Sequence, residues 1–205
     1  MRSLLSSVIL LVALVGGGDV AKAATLIVGW DEFPFGGGSF PSGYAGLEWS
    51  GFHFSSVLNG YGFANAAVSP PNSAWNADGL ASFSAPTAFD VNSVYLTGVF
   101  RDGVQVQVDG YLGASLLYSN TFTVYTTQAT FFELNYLGVD EVVFNSFGGT
   151  PVYAGGGPNF AMDNLTITTA PEPASSMLIG LVIAGLAGAR RRRSRRAILA
   201  FSPSP

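Results

Sequence analysis

The sequence has no cysteine, a single histidine and, between residues 24 and 170, a single basic side chain, Arg101. The lack of cysteine excludes a disulfide framework, thiolate metal sites and thiol catalysis, so stability must come from a packed core or a bound ion. With His53 as its one imidazole, the chain cannot build a multi-histidine zinc site. A Ser-His-Asp machine would depend on that residue, and no Gly-x-Ser-x-Gly elbow is present. Against Arg101 stand Asp31, Glu32, Glu48, Asp78, Asp90, Asp102, Asp109, Glu133, Asp140, Glu141 and Asp163. A surface this acidic repels phosphates, which excludes nucleic acid as a partner of this segment. Long apolar runs are also missing: the two that exist, near either end, fall short of the roughly 20 residues a comfortable membrane span needs.

Those two runs divide the chain. Arg2 precedes an almost unbroken apolar stretch from Leu4 to Val15, Gly16-Gly17-Gly18 ends it, and Ala21-Lys22-Ala23 has the small-x-small pattern that signal peptidase cleaves. Residues 1–23 read as a signal peptide removed after Ala23, the alternative being an uncleaved N-terminal anchor. At the other end Pro171-Glu172-Pro173 leads into an apolar helix over 174–189, then Arg190, Arg191, Arg192 and Arg193, with Ser194, Arg195 and Arg196 completing the basic cluster. A basic cluster beside an apolar helix reads as membrane orientation, with the arginines on the cytoplasmic side and residues 24–170 outside. The helix spans a thin bilayer if the arginines snorkel. Residues 197–205 form a C-terminal extension.

Residues 24–170 have an all-β texture: short runs of Val, Ile, Thr, Phe and Tyr broken by Gly, Pro, Asn, Asp and Ser. Thr25 to Trp30 reads as a first strand, Gly36 to Gly46 as a loop, and Val57 to Gly79 as mostly loop, Pro70-Pro71 forbidding helix there. Phe89 to Phe100 reads as a strand, Arg101-Asp102-Gly103 as a hairpin turn. Val104 to Asp109 alternates apolar and polar residues at period two. Leu116–Tyr125, Phe131–Leu137, Glu141–Phe147 and Phe160–Thr168 follow. No segment has a sustained helical period and no fixed-period repeat appears. Eight to ten strands predict a two-sheet antiparallel β-sandwich of jelly-roll type.

Pro-Glu-Pro, a short apolar helix and an arginine cluster, in that order over Pro171 to Arg196, resemble the PEP-CTERM sorting signal; the chain departs from that pattern in running on to Pro205. The resemblance implies recognition and removal of the tail by an exosortase, a membrane transpeptidase-like protease of Gram-negative bacteria. It also implies an association with exopolysaccharide and the biofilm matrix. Gly46-Leu47-Glu48-Trp49-Ser50-Gly51-Phe52, Phe89 to Leu96 and Phe160 to Leu165 are similar to galactose-binding-like or carbohydrate-binding β-sandwich modules. In many such modules the first and last strands are neighbours and share a structural Ca²⁺. That resemblance assigns Asp31 and Glu32, which leave the first strand, and Asp163 and Asn164, in the last, as metal ligands. The alternative is that Asp163 is an ordinary strand-end hydrogen bonder.

The remaining candidates are aromatic. A sugar's apolar C–H face packs on a flat ring, and Tyr44, Trp49, Tyr61 and Trp75 lie in or near the loop-rich first half, where stacking on a ligand competes with plain packing. Asp31-Glu32 and Asp140-Glu141, adjacent in sequence, point to opposite faces of a strand and make poor catalytic pairs. No catalytic residue is assigned. The expectation is an exported, non-catalytic surface or biofilm-matrix protein, held at the membrane by its tail helix before cleavage and associating with exopolysaccharide. The alternative is an extracellular enzyme acting on matrix polysaccharide. Ice binding on rows such as Thr121-x-Thr123 has no sustained repeat behind it.

Overall fold

The structure of the protein, a computed structural model, describes residues 23–169 apart from position 78. The signal peptide, the sorting tail and the C-terminal extension expected from the sequence lie outside the described residues. No helix among the described residues is long and apolar enough to cross a membrane.

Ala23–Ala170 is one compact unit. Its ten strands are β1 (Ala24–Val28), β2 (Gly37–Ser39), β3 (Glu48–Ser50), β4 (His53–Ser56), β5 (Asn72–Trp75), β6 (Ala81–Gly98), β7 (Arg101–Leu112), β8 (Ser115–Val124), β9 (Thr130–Pro151) and β10 (Phe160–Thr169). One α-helical turn, α1 (Phe63–Ala66), and two 3-10 turns, Tyr44–Gly46 and Val57–Asn59, interrupt them. The expected all-β antiparallel class holds, since every strand pair is antiparallel. The ladders join into one open sheet in the order β2-β4-β5-β10-β6-β9-β7-β8, with β1 added to β10 and β3 to β6. The ladder is continuous because β6 and β9 are long enough to serve different neighbours along their length. The stretches expected as separate strands, Phe131–Leu137 and Glu141–Phe147, are one strand, β9. Its first part pairs with β6 and its last part with β7. Register shifts between β6 and β9, and positive φ at Asn135 and Gly138, mark where it bends.

The period-two pattern of β7 is realised: Val104, Val106 and Val108 are buried, and Gln105, Gln107 and Asp109 face outward. These valines share one core with Phe83, Phe89, Val91 and Leu96 of β6, Tyr136 and Phe144 of β9, and Phe160, Met162 and Leu165 of β10. Tyr136 is fully buried with its hydroxyl satisfied: the oxygen lies 2.9 Å from both the Val108 carbonyl and Asn120 Oδ1, and its one proton is donated to one of them. Burial, with Asp109 adding to it, pushes that phenol up to about 12.

Two local expectations fail. Arg101-Asp102-Gly103 is not a hairpin turn: β6 and β7 do not pair, and the chain crosses between them through Val99 and Phe100. Asp102 instead accepts from the Thr126 amide (2.7 Å) and hydroxyl (2.8 Å). The true hairpin is β7–β8, whose register leaves Gly113 and Ala114 as a two-residue loop, with Gly113 at φ +56°. The stretch read as loop from Val57 to Gly79 holds α1 and β5. Asn72-Ser73 lacks the apolar signature of a strand and takes its place by pairing with Ser55-Ser56 of β4, while β10 pairs with Ala74 and Trp75.

Candidate functional site

Two places gather the residues singled out in the sequence. The first is on the outer face of β4 and β5. The register pairs His53 with Trp75 and Ser55 with Ser73, whereas Phe54 and Ala74 alternate toward the core. On this outer face rests the segment carrying α1. Phe63 meets Trp75 edge-on at 5.3 Å and Phe100 at 6.1 Å. Tyr61, 48% exposed, stands edge-on to Phe100 (5.4 Å) and Tyr153 (5.0 Å). Asn59 ties the segment down by donating to Ser55 Oγ (2.7 Å) and the Gly36 carbonyl (3.1 Å). Between these walls runs a groove of about 370 Å³, bordered by His53, Asn59, Tyr61, Trp75, Phe100 and the side-chain-free Gly37-Gly38 of β2. None of its lining residues is Asp, Glu, Lys or Arg. Its size and its mix of aromatic walls with a few polar groups are those of a small-ligand site.

The four aromatics proposed from the sequence thus separate. Tyr61 and Trp75 meet at the groove. Tyr44 and Trp49 sit in a packed aromatic cluster with Trp30, Phe33 and Phe40. There Trp49 Nε1–H donates to the Tyr44 carbonyl at 2.9 Å, and its ring lies 5.1 Å from Phe83. Tyr44 borders a smaller cavity of about 220 Å³ with Glu32 and Val28. Burial and then a hydrogen bond with Glu32 hold its hydroxyl far above the usual phenol range. Asn59, Phe100 and the Gly37-Gly38 floor were not singled out in the sequence. Nothing local marks them, because it is the docking of α1 onto the sheet that makes them a wall and a floor.

The second place is where β1 meets β10, strands that pair from Ala24↔Thr169 to Val28↔Leu165. Asp163 and Asn164 are adjacent in β10, and on a regular strand they would face opposite ways. A register shift after Asp163 and a left-handed Asn164 (φ +48°) bring both side chains to the same locus. Ser69, from the loop before Pro70, joins them. Its amide donates to Asp163 Oδ2 (2.8 Å), its hydroxyl to Asn164 Oδ1 (2.9 Å), and the Asn164 amide donates to Asp163 Oδ1 (2.7 Å). Asp163 is fully buried. Burial raises its carboxyl from the usual 3.8 to about 7; the amides of Ser69, Asn164 and Val68 pull the other way, and the charge of Asp31 adds to the rise.

Asp31 completes this cradle, but Glu32 turns away to Tyr44. A β-carbon on Gly29 would sit 3.2 Å from Ser69 Oγ, 3.3 Å from Asp31 Oδ2 and 3.4 Å from Asn164 Oδ1. Three oxygens from three segments therefore converge on the bare α-carbon of Gly29. Among the described residues no group of three or more His, Cys, Asp or Glu could hold a metal. What converges is two carboxylates, an amide oxygen and a hydroxyl, a donor set suited to a hard, oxygen-seeking cation. Ser69 is the member that sequence reasoning missed.

A PEP-CTERM protein-sorting motif is matched over residues 169–193. The chain therefore carries the signal of an exosortase-sorted, exported protein that passes through a membrane-anchored intermediate. Among solved structures, TmCBM61 in complex with β-1,4-galactotriose is similar at a TM-score of 0.39 and 12% identity, over 63% of this chain and 90% of that one. A DUF4465 family protein from Bacteroides ovatus is similar at a TM-score of 0.44 and 12% identity, over 72% of this chain and all of that one. At that level of similarity nothing about ligands passes from either protein to this chain. No curated protein matches the sequence.

Proposed function

We propose that this is a non-catalytic protein of the cell surface or biofilm matrix of a Gram-negative bacterium, built on a jelly-roll β-sandwich, which holds a neutral glycan in the groove beside Trp75. The observation that carries the reading is the groove itself. Trp75 and Tyr61 supply ring faces and edges, and His53, Asn59 and Ser55 supply hydrogen-bonding groups. The walls contain no carboxylate pair to hydrolyse a glycosidic bond. The ligand class follows from charge: in a segment with eleven carboxylates and one arginine, an anionic polysaccharide is repelled before it reaches the groove.

Trp75→Ala is expected to weaken binding to the neutral fraction of the host's exopolysaccharide by about 30-fold, the loss of one aromatic anchor at about 2 kcal/mol. Trp75→Phe is expected to fall between the two. Affinity electrophoresis in polysaccharide-containing gels, with melting curves to confirm folding, measures it. Equal retardation of wild type and Trp75→Ala would remove the groove from consideration.

Processing follows from the two ends. After signal peptidase and exosortase act, the surface-associated protein is expected to lack residues 1–23 and the apolar tail beyond Pro173. Intact-mass measurement reads this directly. Recovery of a chain still holding Met1 and Arg196 from an exosortase-containing host would contradict it.

Calcium belongs to the same reading as a structural ion. Asp31, Asp163 and Asn164, with Ser69, are the residues that would hold it. The ion would neutralise a buried carboxylate and pin β1 to β10, and it would take no part in chemistry.

A further inference from the structure

The sheet ends at β8, which pairs with β7 on one side and with no other described strand. A free edge offers a row of unpaired backbone donors and acceptors, and proteins blunt such edges with charges, prolines or short length. The edge strand at the opposite end, β2, is only three residues long. β8 has neither charge, proline nor short length to protect it, only a bulge near its start, opposite Gly110 and Tyr111 of β7. It is ten residues long, and the whole stretch from Gly110 to Phe132 contains no Asp, Glu, Lys, Arg or Pro. Leu116 and Leu117 near its start are about half exposed.

The centre of its sequence is also a chemical palindrome. About Asn120, Ser119 mirrors Thr121 and Tyr118 mirrors Phe122; beyond them Leu117 opposite Thr123 breaks the symmetry, at the register shift between Gly110 and Tyr111. Mirror-related positions are an even number of residues apart, so in an antiparallel pair each meets a partner on the same face. The inner row, Tyr118, Phe122 and Val124, would continue the apolar face of the sheet; Leu116, beyond the register shift, pairs with Tyr111 and lies on the other face. The outer row, Ser119 and Thr121, would continue the polar one formed by Gln105, Gln107 and Asp109.

We infer that β8 pairs with β8 of a second copy of this chain, antiparallel, with Asn120 on the two-fold axis, joining two sheets into one. The occupant is a second copy because the centre of the strand, Tyr118 to Phe122, complements itself about that axis. Charge points the same way. Two domains as acidic as this one repel each other over most of their surface, and the uncharged stretch around β8 lets two copies approach without like charges meeting. The contact is isologous and closed, so it yields dimers and not fibres.

The absence of cysteine makes the test clean. Asn120→Cys in the full chain, exported by an exosortase-containing host, places its sulfur opposite its own copy. Paired Cα atoms there are about 4.5–5.5 Å apart, within disulfide range. Thr123→Cys, on the same strand, is removed from its own copy by six residues, about 20 Å. A dimer band on non-reducing gels is expected for Asn120→Cys and not for Thr123→Cys. Equal crosslinking of both, or of neither, overturns the pairing. Sedimentation of the uncrosslinked protein gives an independent reading. Wild type is expected at twice the monomer mass, and Thr121→Glu, which sets one new carboxylate per copy close to the two-fold axis, opposite Ser119 of the other copy, at the monomer mass. A monomeric wild type, or a Thr121→Glu protein that stays dimeric, overturns it equally.

Discussion

With a chelator present, the domain's folding stability is expected to fall as pH rises from 3.8 toward 7, and then to level off. The cause is Asp163, whose carboxyl is raised to about 7 by burial, with Asp31 adding to the rise. Below pH 3.8 the group is protonated in both folded and unfolded chains, and its contribution is fully present. Between the two values the unfolded chain releases the proton while the folded chain holds it, so folding is penalised progressively. The contribution is lost once pH passes the folded value. At 1.36 kcal/mol per unit the penalty reaches about 4 kcal/mol, a large part of the stability of an ordinary domain.

Asp163→Asn removes the titration, so urea melts across this range should show the slope in wild type and not in the variant. The carboxamide sets an NH₂ group against the amide of Ser69 or Asn164, which costs stability by the same amount at every pH and leaves the slope as the readout. A wild type without the slope, or an Asn variant that keeps it, would contradict the assignment. Calcium at neutral pH should restore what ionisation removes, by an amount that grows with the logarithm of its concentration. Gly29→Ala should abolish that gain without removing a ligand, because its methyl group fills the space on which Ser69, Asp31 and Asn164 converge. Sodium chloride at matched ionic strength separates site binding from screening. Equal shifts by both salts would mean that no site exists.

Gly62→Ala is expected to be among the most damaging single-methyl changes in the domain. Gly62 precedes α1 and donates its amide to the Val99 carbonyl at 2.9 Å. A β-carbon there would overlap the Gly98 carbonyl oxygen and come within 2.8 Å of Val99 Cα. Both are backbone atoms and cannot rotate away. The segment bearing Tyr61 and Phe63 must lift from the sheet, and overpacking of this kind costs about 1–3 kcal/mol. The groove should lose its wall at the same time, so glycan binding and stability fall together. Asn65→Ala, which removes only the hydrogen bond to the Thr126 carbonyl, should cost about 1 kcal/mol. Urea unfolding of the two variants, with glycan retardation measured alongside, gives the ranking. A Gly62→Ala protein as stable as wild type would show that α1 does not press on the sheet as the structure places it.

What the sequence determined by itself was local and compositional. The valine alternation of β7 announces a half-buried strand, because a period of two can bury only one face. The order of Pro-Glu-Pro, apolar run and arginines identifies the sorting motif without reference to any fold. The acidity of residues 24–170 and the missing cysteines limit partners and chemistry. The tertiary structure decided whatever depends on contacts between distant segments. Asp163 and Asn164 face one cradle only because β10 bulges between them, and Ser69 reaches them from more than ninety residues away. Glu32, beside Asp31 in sequence, bonds Tyr44 instead, since a turn separates neighbours as readily as it joins them. Trp49 and Trp75 carry the same ring and the same sequence-level promise. One is packed among other rings beside β6 and the other borders a groove, and the difference lies in which strand each pairs with and what rests on that strand's outer face.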